Sequence, residues 1–161
     1  MKQKTKEIKD EIKREVIQVT NPDYLLKEMG TIIYDFINGL ELPGISYESL
    51  MSHLLYASGI ETYVALIDNI PVGFLSLGLM GPPYYSTASI NFIYKPGKDP
   101  ELADMMYAKI PEFMKRHKLL YFYYITITKK LAEYFTQKGK GMDMMVSCKG
   151  HYYSGKLKLK R

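Results

Sequence analysis

Thr87-Ala88-Ser89-Ile90-Asn91-Phe92-Ile93-Tyr94, then Lys95-Pro96-Gly97-Lys98, then Asp99-Pro100-Glu101: this run within 86–118 decides how the chain is read. The first eight residues are apolar or small at most positions, with aromatic and β-branched side chains gathered at the end, which predicts a buried strand. Lys95–Lys98 breaks it, because Pro96 has no N–H to donate and Gly97 admits positive φ. Asp99 then reads as an N-cap, Pro100 as the first helical residue and Glu101 as acid in the first turn. Leu102, Met105, Met106, Ile110, Phe113 and Met114 follow at helical spacing. A strand that runs into a helix N-terminus is where α/β proteins hold anions, since free N–H groups and the helix dipole both face outward there.

The rest of the chain extends this unit in both directions. Glu15–Val19 reads as a strand, and Asn21-Pro22 as the cap of a helix whose apolar stripe runs from Leu25 to Leu40. Ser46 caps a second helix through Leu50, Leu54 and Leu55. Glu61–Ile67 and Ile70–Leu79 are two β runs joined by Asp68-Asn69, residues that tolerate the positive φ of a tight hairpin. Beyond the long helix, Leu119–Ile127 is apolar enough on both faces to lie inside a sheet. Thr128 caps a helix carrying Leu131, Tyr134 and Phe135, closed by Gly139 and Gly141. Met142–Cys148 is a further strand and Tyr152–Leu159 a candidate one. The order β-α-α-β-β-β-α-β-α-β-(β) predicts a single three-layer α/β domain over residues 1–161. It has a mixed sheet of about six to seven strands with helices on both faces. Residues 1–14 form a charged lead-in with helical spacing at Ile8, Ile12 and Val16, and 150–161 a basic tail.

At 161 residues with 47% hydrophobic and 24% charged content, the chain is long and apolar enough to bury a core. Cys148 is the only cysteine, which rules out an intrachain disulfide, and the three His lie on different elements, so no metal site is expected. Residues 1–15 offer no apolar segment of a signal peptide, and no run has the length of a membrane span, so a cytoplasmic protein without a membrane partner is expected. The net charge of +5 is uneven: residues 138–161 hold seven Lys/Arg against one acid. A solvated tail explains this better than a nucleic-acid arm. Fifteen Tyr and no Trp stand out. Tyr121 to Tyr124 are read first as packing residues, and the pairs Tyr84-Tyr85 and Tyr152-Tyr153 as surface.

This order, at these lengths, resembles the GNAT superfamily of N-acetyltransferases over nearly the whole chain. Thr62–Phe74 is similar to the second and third strands of that family, with Gly73 shortly after the turn, and Thr128–Gly139 to its late helix. The resemblance implies acetyl-CoA as co-substrate, held by Phe92, Ile93, Tyr94, Lys95, Gly97, Lys98, Asp99 and Thr128. It also implies an amine-bearing small molecule or protein as acceptor, with a second copy of the chain as a candidate partner. A tyrosine on the late helix commonly protonates the leaving thiolate. Alignment on Gly139 puts Phe135 at that position and Tyr134 beside it, so Tyr134 is the candidate acid. Glu61 and Asn91 are candidates to take the proton of the amine through water. The sequence departs from the family's Arg/Gln-x-x-Gly-x-Gly/Ala loop. It offers Gly97 between two prolines, with Asp99, Glu101 and Asp104 nearby and Lys95 and Lys98 offsetting them. The alternative is therefore a GNAT-fold protein without catalysis, acting as a structural or interaction component through its Tyr-rich loops and basic tail.

Overall fold

The computed structural model describes residues 12–40, 46–81, 87–95, 97–126, 129–138, 142–149 and 152–159. Strand β1 (Arg14–Val19) leads into helices α1 (Pro22–Glu28), α2 (Gly30–Leu40) and α3 (Tyr47–Tyr56). Strands β2 (Ile60–Ile67), β3 (Ile70–Leu79) and β4 (Thr87–Tyr94) follow. The chain then alternates through α4 (Pro100–Arg116), β5 (Tyr121–Thr126) and α5 (Lys129–Lys138), and ends in β6 (Met142–Lys149) and β7 (Tyr152–Leu159). All seven strands form one sheet in the order β1-β2-β3-β4-β5-β7-β6. The β4–β5 pair is parallel and every other pair antiparallel. The expected mixed α/β sheet is thus present, and Tyr152–Leu159 is a strand inserted between β5 and β6. Tyr152 and Tyr153 accordingly open β7.

Alternation along the strands sends side chains to two apolar layers. Val64, Leu66 and Phe74 pack under Met29, Ile33, Phe36, Leu50, Met51 and Leu54 of the α1–α3 side. Tyr63, Ala65, Leu75, Leu77, Ala88, Ile90, Phe122 and Tyr124 pack under α4 and α5 on the opposite face. Met106 and Met114 are fully inside that second layer, as the helical spacing predicts. The β2–β3 hairpin turns at Asp68 (φ 50°) and Asn69 (φ 65°), both in the left-handed region a two-residue turn of this hand requires. Ser46 and Ser49 close α3 reciprocally, each side-chain oxygen accepting the other's backbone N–H at 3.1 and 3.0 Å.

Three expectations shift. The stripe from Leu25 to Leu40 is two helices, broken at Met29 and resuming at Gly30. Tyr47 Oη lies 3.3 Å from where a Gly30 Cβ would stand, so α3 approaches the break closely. The stripe persists across it because the Met29 carbonyl already accepts from Ile33 N–H at 3.0 Å. Strand β5 starts at Tyr121 rather than Leu119, since Lys118 (φ 55°) and the Leu119 N–H to Met114 carbonyl bond of 2.8 Å extend the end of α4 as a Schellman turn. Residues 1–11 of the charged lead-in and residues 82–86, with Tyr84 and Tyr85, lie outside the described residues, and Arg14 already belongs to β1. Among the described residues, no helix is long and apolar enough to cross a membrane.

Candidate functional site

Strand β4 changes partners halfway along. It pairs with β5 from Thr87–Tyr121 to Ile90–Tyr124, and there the ladder stops although both strands continue. On its other side, β4 stays paired with β3 to the end, Phe74 opposite Tyr94. Between Ile90, opposite Leu77, and Phe92, opposite Ser76, the register slips by one, and Asn91 is the extra residue of a β-bulge. A bulge bends its strand and strengthens the local twist. Among the described residues the β5 side of Asn91–Tyr94 therefore has no strand partner, and the end of the ladder at Ile90 and Tyr124 marks the closed end of the cleft between the two strands. Phe92, Ile93 and Tyr94, the strand residues expected to hold a cofactor, all stand on this split half.

At the mouth of the cleft the chain turns over Gly73 into α4. A Cβ on Gly73 would come 2.4 Å from the Tyr94 carbonyl oxygen, so only glycine lets the end of β4 lie this close to β3. Gly97 takes φ 85° and the Lys95 ammonium donates to its carbonyl at 3.0 Å, bracing the turn. Burial lowers the Lys95 pKa, with Asp99 pulling the other way. Asp99 caps α4, Oδ1 accepting the Leu102 N–H at 2.9 Å. This backbone bond, aided by Arg14, holds its carboxyl below the usual range.

Arg14 is a site residue that sequence reasoning missed. It comes from β1, donates through Nε to Asp99 Oδ2 at 2.9 Å, and its Nη1 lies 3.2 Å from Glu101. Two of the three acids that the sequence sets beside the loop, Asp99 and Glu101, are thus paired with a strand 85 residues before Asp99. Lys98 is exposed and forms no ion pair among the described residues. Lys95, Gly97, Lys98 and Asp99 are brought together here, and Thr128 lies outside the described residues.

The three candidate catalytic residues are not brought together. Asn91 sits at the bulge, where Ser89 Oγ donates to its Oδ1 at 2.6 Å and its amide nitrogen fills the space that a Gly78 Cβ would take. Tyr134 lies between α5 and α4, its hydroxyl donating to Asp104 Oδ1 at 2.9 Å and its ring edge-on to Tyr107. Burial, then that carboxylate, push its pKa well above the ordinary tyrosine value. Its neighbour Phe135 is in the core, with its ring centroid 4.8 Å from that of Tyr124.

Glu61 stands at the far end of α4. Its carboxylate accepts from Tyr63 Oη at 2.5 Å, bonds to Arg116, and meets His117 Nε2 at 2.9 Å. Arg116 also donates to Tyr63 Oη at 2.8 Å. Burial would raise the Glu61 pKa, but the His117 and Tyr63 hydrogen bonds and the Arg116 charge outweigh it and leave the pKa lowered. Because α4 has 17 residues, at about 1.5 Å each this cluster is about 25 Å from the Asp99 cap. An open cavity of about 470 Å³ between α2 and α3 is lined by Gly30, Thr31, Tyr34, Tyr47 and Glu48, none of which belongs to β4, β5, α4 or α5.

No family model matches this sequence, and no curated protein matches it. Among solved structures the likeness is extensive. A probable acetyltransferase from Staphylococcus epidermidis is 11% identical, with a TM-score of 0.65 over 90% of this chain and 97% of that one. An acetyltransferase from Thermus thermophilus is 13% identical, with a TM-score of 0.66 over 91% and 97%. The PaiA N-acetyltransferase of Thermoplasma acidophilum, solved in complex with coenzyme A, is 12% identical, with a TM-score of 0.62 over 89% and 99%. The split pair β4–β5, the bulge and the capped helix that follows them stand within a chain that has the fold of the GNAT acetyltransferases.

Proposed function

We propose that the protein is an acyl-CoA-dependent N-acyltransferase that moves an acetyl group from acetyl-CoA to an amine. The observation that carries this reading is the β4–β5 ladder ending at Ile90–Tyr124, which leaves the backbone edge of Asn91–Tyr94 beside the N-terminus of α4. Pantetheine amides pair with that edge as an added strand would. The pyrophosphate lies against the Gly97–Asp99 turn, where Lys95 and Lys98 supply positive charge and Arg14 offsets Asp99 and Glu101. That a neighbour of the same fold was solved with coenzyme A supports the same ligand here.

With the pantetheine along this edge, the thioester lies at the end of the ladder, next to Ser89 and Asn91. The amine nitrogen attacks the thioester carbonyl carbon, the carbon–sulfur bond breaks, and the amine proton ends on the coenzyme A sulfur. Asn91 has no basic atom, so it orients the amine or a water and takes no proton. Glu61 is engaged elsewhere, and the raised pKa of Tyr134 makes it a reluctant acid. Proton transfer then runs through water, and the reaction forgoes the roughly 10²–10⁴-fold that a placed acid supplies.

The test is acetyl-CoA-dependent release of coenzyme A over a panel of amines. Release with at least one amine supports the reading, and neither binding of acetyl-CoA nor release with any amine refutes it. A second reading, a non-catalytic member of the fold, draws on Phe135, buried where the family commonly has its tyrosine. It predicts micromolar binding of a protein partner and no turnover.

A further inference from the structure

One side chain in the middle of the sheet is out of keeping with its neighbours. Ser76 of β3 is completely buried, and among the described residues its hydroxyl has no hydrogen-bond partner. It alternates with Leu75 and Leu77, which face α4 and α5, and so shares the α1–α3 face with Phe74. Thr62, its direct partner on β2, is engaged elsewhere, its hydroxyl donating to the Leu54 carbonyl at 3.5 Å. A buried hydroxyl without a partner costs stability that an alanine at the same place would not. Its presence is accounted for by a ligand that the fold itself does not supply.

Beside Ser76 lies the β4 bulge. Ser76 pairs with Phe92, the residue after the extra Asn91, and Gly78, two residues along β3, pairs with Ser89. A Cβ on Gly78 would meet Asn91 Nδ2 and Ile60 Cδ1 at 2.6 Å and Ser89 Oγ at 3.3 Å. Glycine here therefore lets the Asn91 amide lie over β3, on the face that carries Ser76. Ser89 Oγ donates to Asn91 Oδ1 at 2.6 Å, which turns the amide nitrogen toward Gly78. Two residues along a strand are about 7 Å, a span that one water bridges with two hydrogen bonds of about 2.8 Å. The same face is the open one at the end of the cleft. On the α4–α5 side Ile90, Tyr124 and Phe135 are 8%, 1% and 1% exposed, which bars an acceptor from there, whereas Ser89 and Asn91 are only half-buried.

We infer that Ser76 is a positioning residue, which holds with the Asn91 amide the water that carries the proton of the attacking amine. This rests on the acyltransferase reading and adds how the proton moves without a placed base. Asn91 Nδ2 donates to one lone pair of the water, and Ser76 Oγ accepts one of its hydrogens. The other lone pair takes the amine proton as the carbon–nitrogen bond forms. The remaining hydrogen goes to the coenzyme A sulfur as the carbon–sulfur bond breaks, so the water, Ser76 and Asn91 end as they began.

The experiment compares Ser76→Ala with the parent, and the isosteric pair Ser76→Thr and Ser76→Val with each other, all in the full chain. Coenzyme A release is measured with glutamate, ethanolamine and spermidine, alongside calorimetry with acetyl-CoA and thermal melting. The inference expects kcat at least tenfold lower in Ser76→Ala, with acetyl-CoA affinity kept, and Ser76→Thr at least tenfold faster than Ser76→Val. A hydroxyl that only fills space gives equal kcat within each pair and a Ser76→Ala melting temperature raised by about 2–4 °C. That result overturns the inference and leaves the acyltransferase reading standing. Acetyl-CoA binding to the parent without release to any of the three amines also overturns it, and leaves the acetyl-CoA site standing. Absence of acetyl-CoA binding overturns both. Ser76→Ala only removes an atom, so its kcat decides the matter even if the two larger variants do not fold.

Discussion

Helix α4 begins and ends in opposite surroundings. At its end, Arg116 and His117 close on Glu61 and Tyr63 of β2 in a cluster whose members satisfy one another. There β4 is paired on both sides. At its beginning, β4 is paired on one side only, the chain turns over Gly73, and Lys98 is left without an ion pair among the described residues. The same kinds of residue, acids and bases around one helix terminus, make a staple at one end and a receptive edge at the other. What separates them is whether the neighbouring backbone has partners.

The largest expected effect comes from the receptive end. Gly73→Ala puts a methyl against the backbone of Tyr94, which has no side-chain freedom to yield. We expect a loss of about 3 kcal/mol in urea unfolding, with acetyl-CoA binding lost too as the end of β4 is pushed off β3. At the stapled end, Glu61→Gln should cost about 1–2 kcal/mol at neutral pH. Because the folded-state pKa of Glu61 is depressed, its contribution is present above the ordinary carboxylate pKa and is lost as pH falls through the lower folded value. The variant and the parent should therefore converge in thermal melts as the pH is taken below that value.

The same cluster acts at high pH. Burial, then the Glu61 carboxylate, push the Tyr63 pKa from 10.0 to about 12. A raised pKa gives stability that is complete below the unfolded value of 10.0 and is lost as pH rises toward about 12. Tyr63→Phe should flatten that alkaline limb. A smaller effect on folding is expected at Gly78, in the fully paired part of the sheet. A Cβ there meets the side-chain ends of Asn91 and Ile60 at 2.6 Å, both able to swing aside. Gly78→Ala should cost less than about 1 kcal/mol, while displacing Asn91 and lowering turnover.

Much of the fold was legible because each device was local. Asp68-Asn69 announces its turn, Asp99-Pro100 its cap, and the 3.6-residue stripes their helices. The break at Met29–Gly30 was not, because apolar positions on either side of it continue one stripe, and the close neighbour there, Tyr47, comes from another helix. The site was legible as a strand–loop–helix, and Phe92–Asp99 do stand together on it. Its decisive feature, the bulge at Asn91, leaves no mark in a period-2 pattern, since either neighbour could have been the extra residue. Glu61 reads as a candidate base only until Arg116 and His117, 55 and 56 residues on, are placed against it. Arg14 carries no signal of its own. It matters because β1 ends up beside the start of α4.

The most direct measurement is a calorimetric titration of acetyl-CoA into the protein and into Lys98→Glu. Binding to the parent is expected, with at least tenfold weaker binding to the variant and unchanged thermal stability, because Lys98 is exposed and forms no ion pair among the described residues. Equal affinity in both would move the pyrophosphate away from the Lys95–Asp99 turn. No heat at millimolar acetyl-CoA would contradict the central claim that the split half of β4 is an acyl-CoA site.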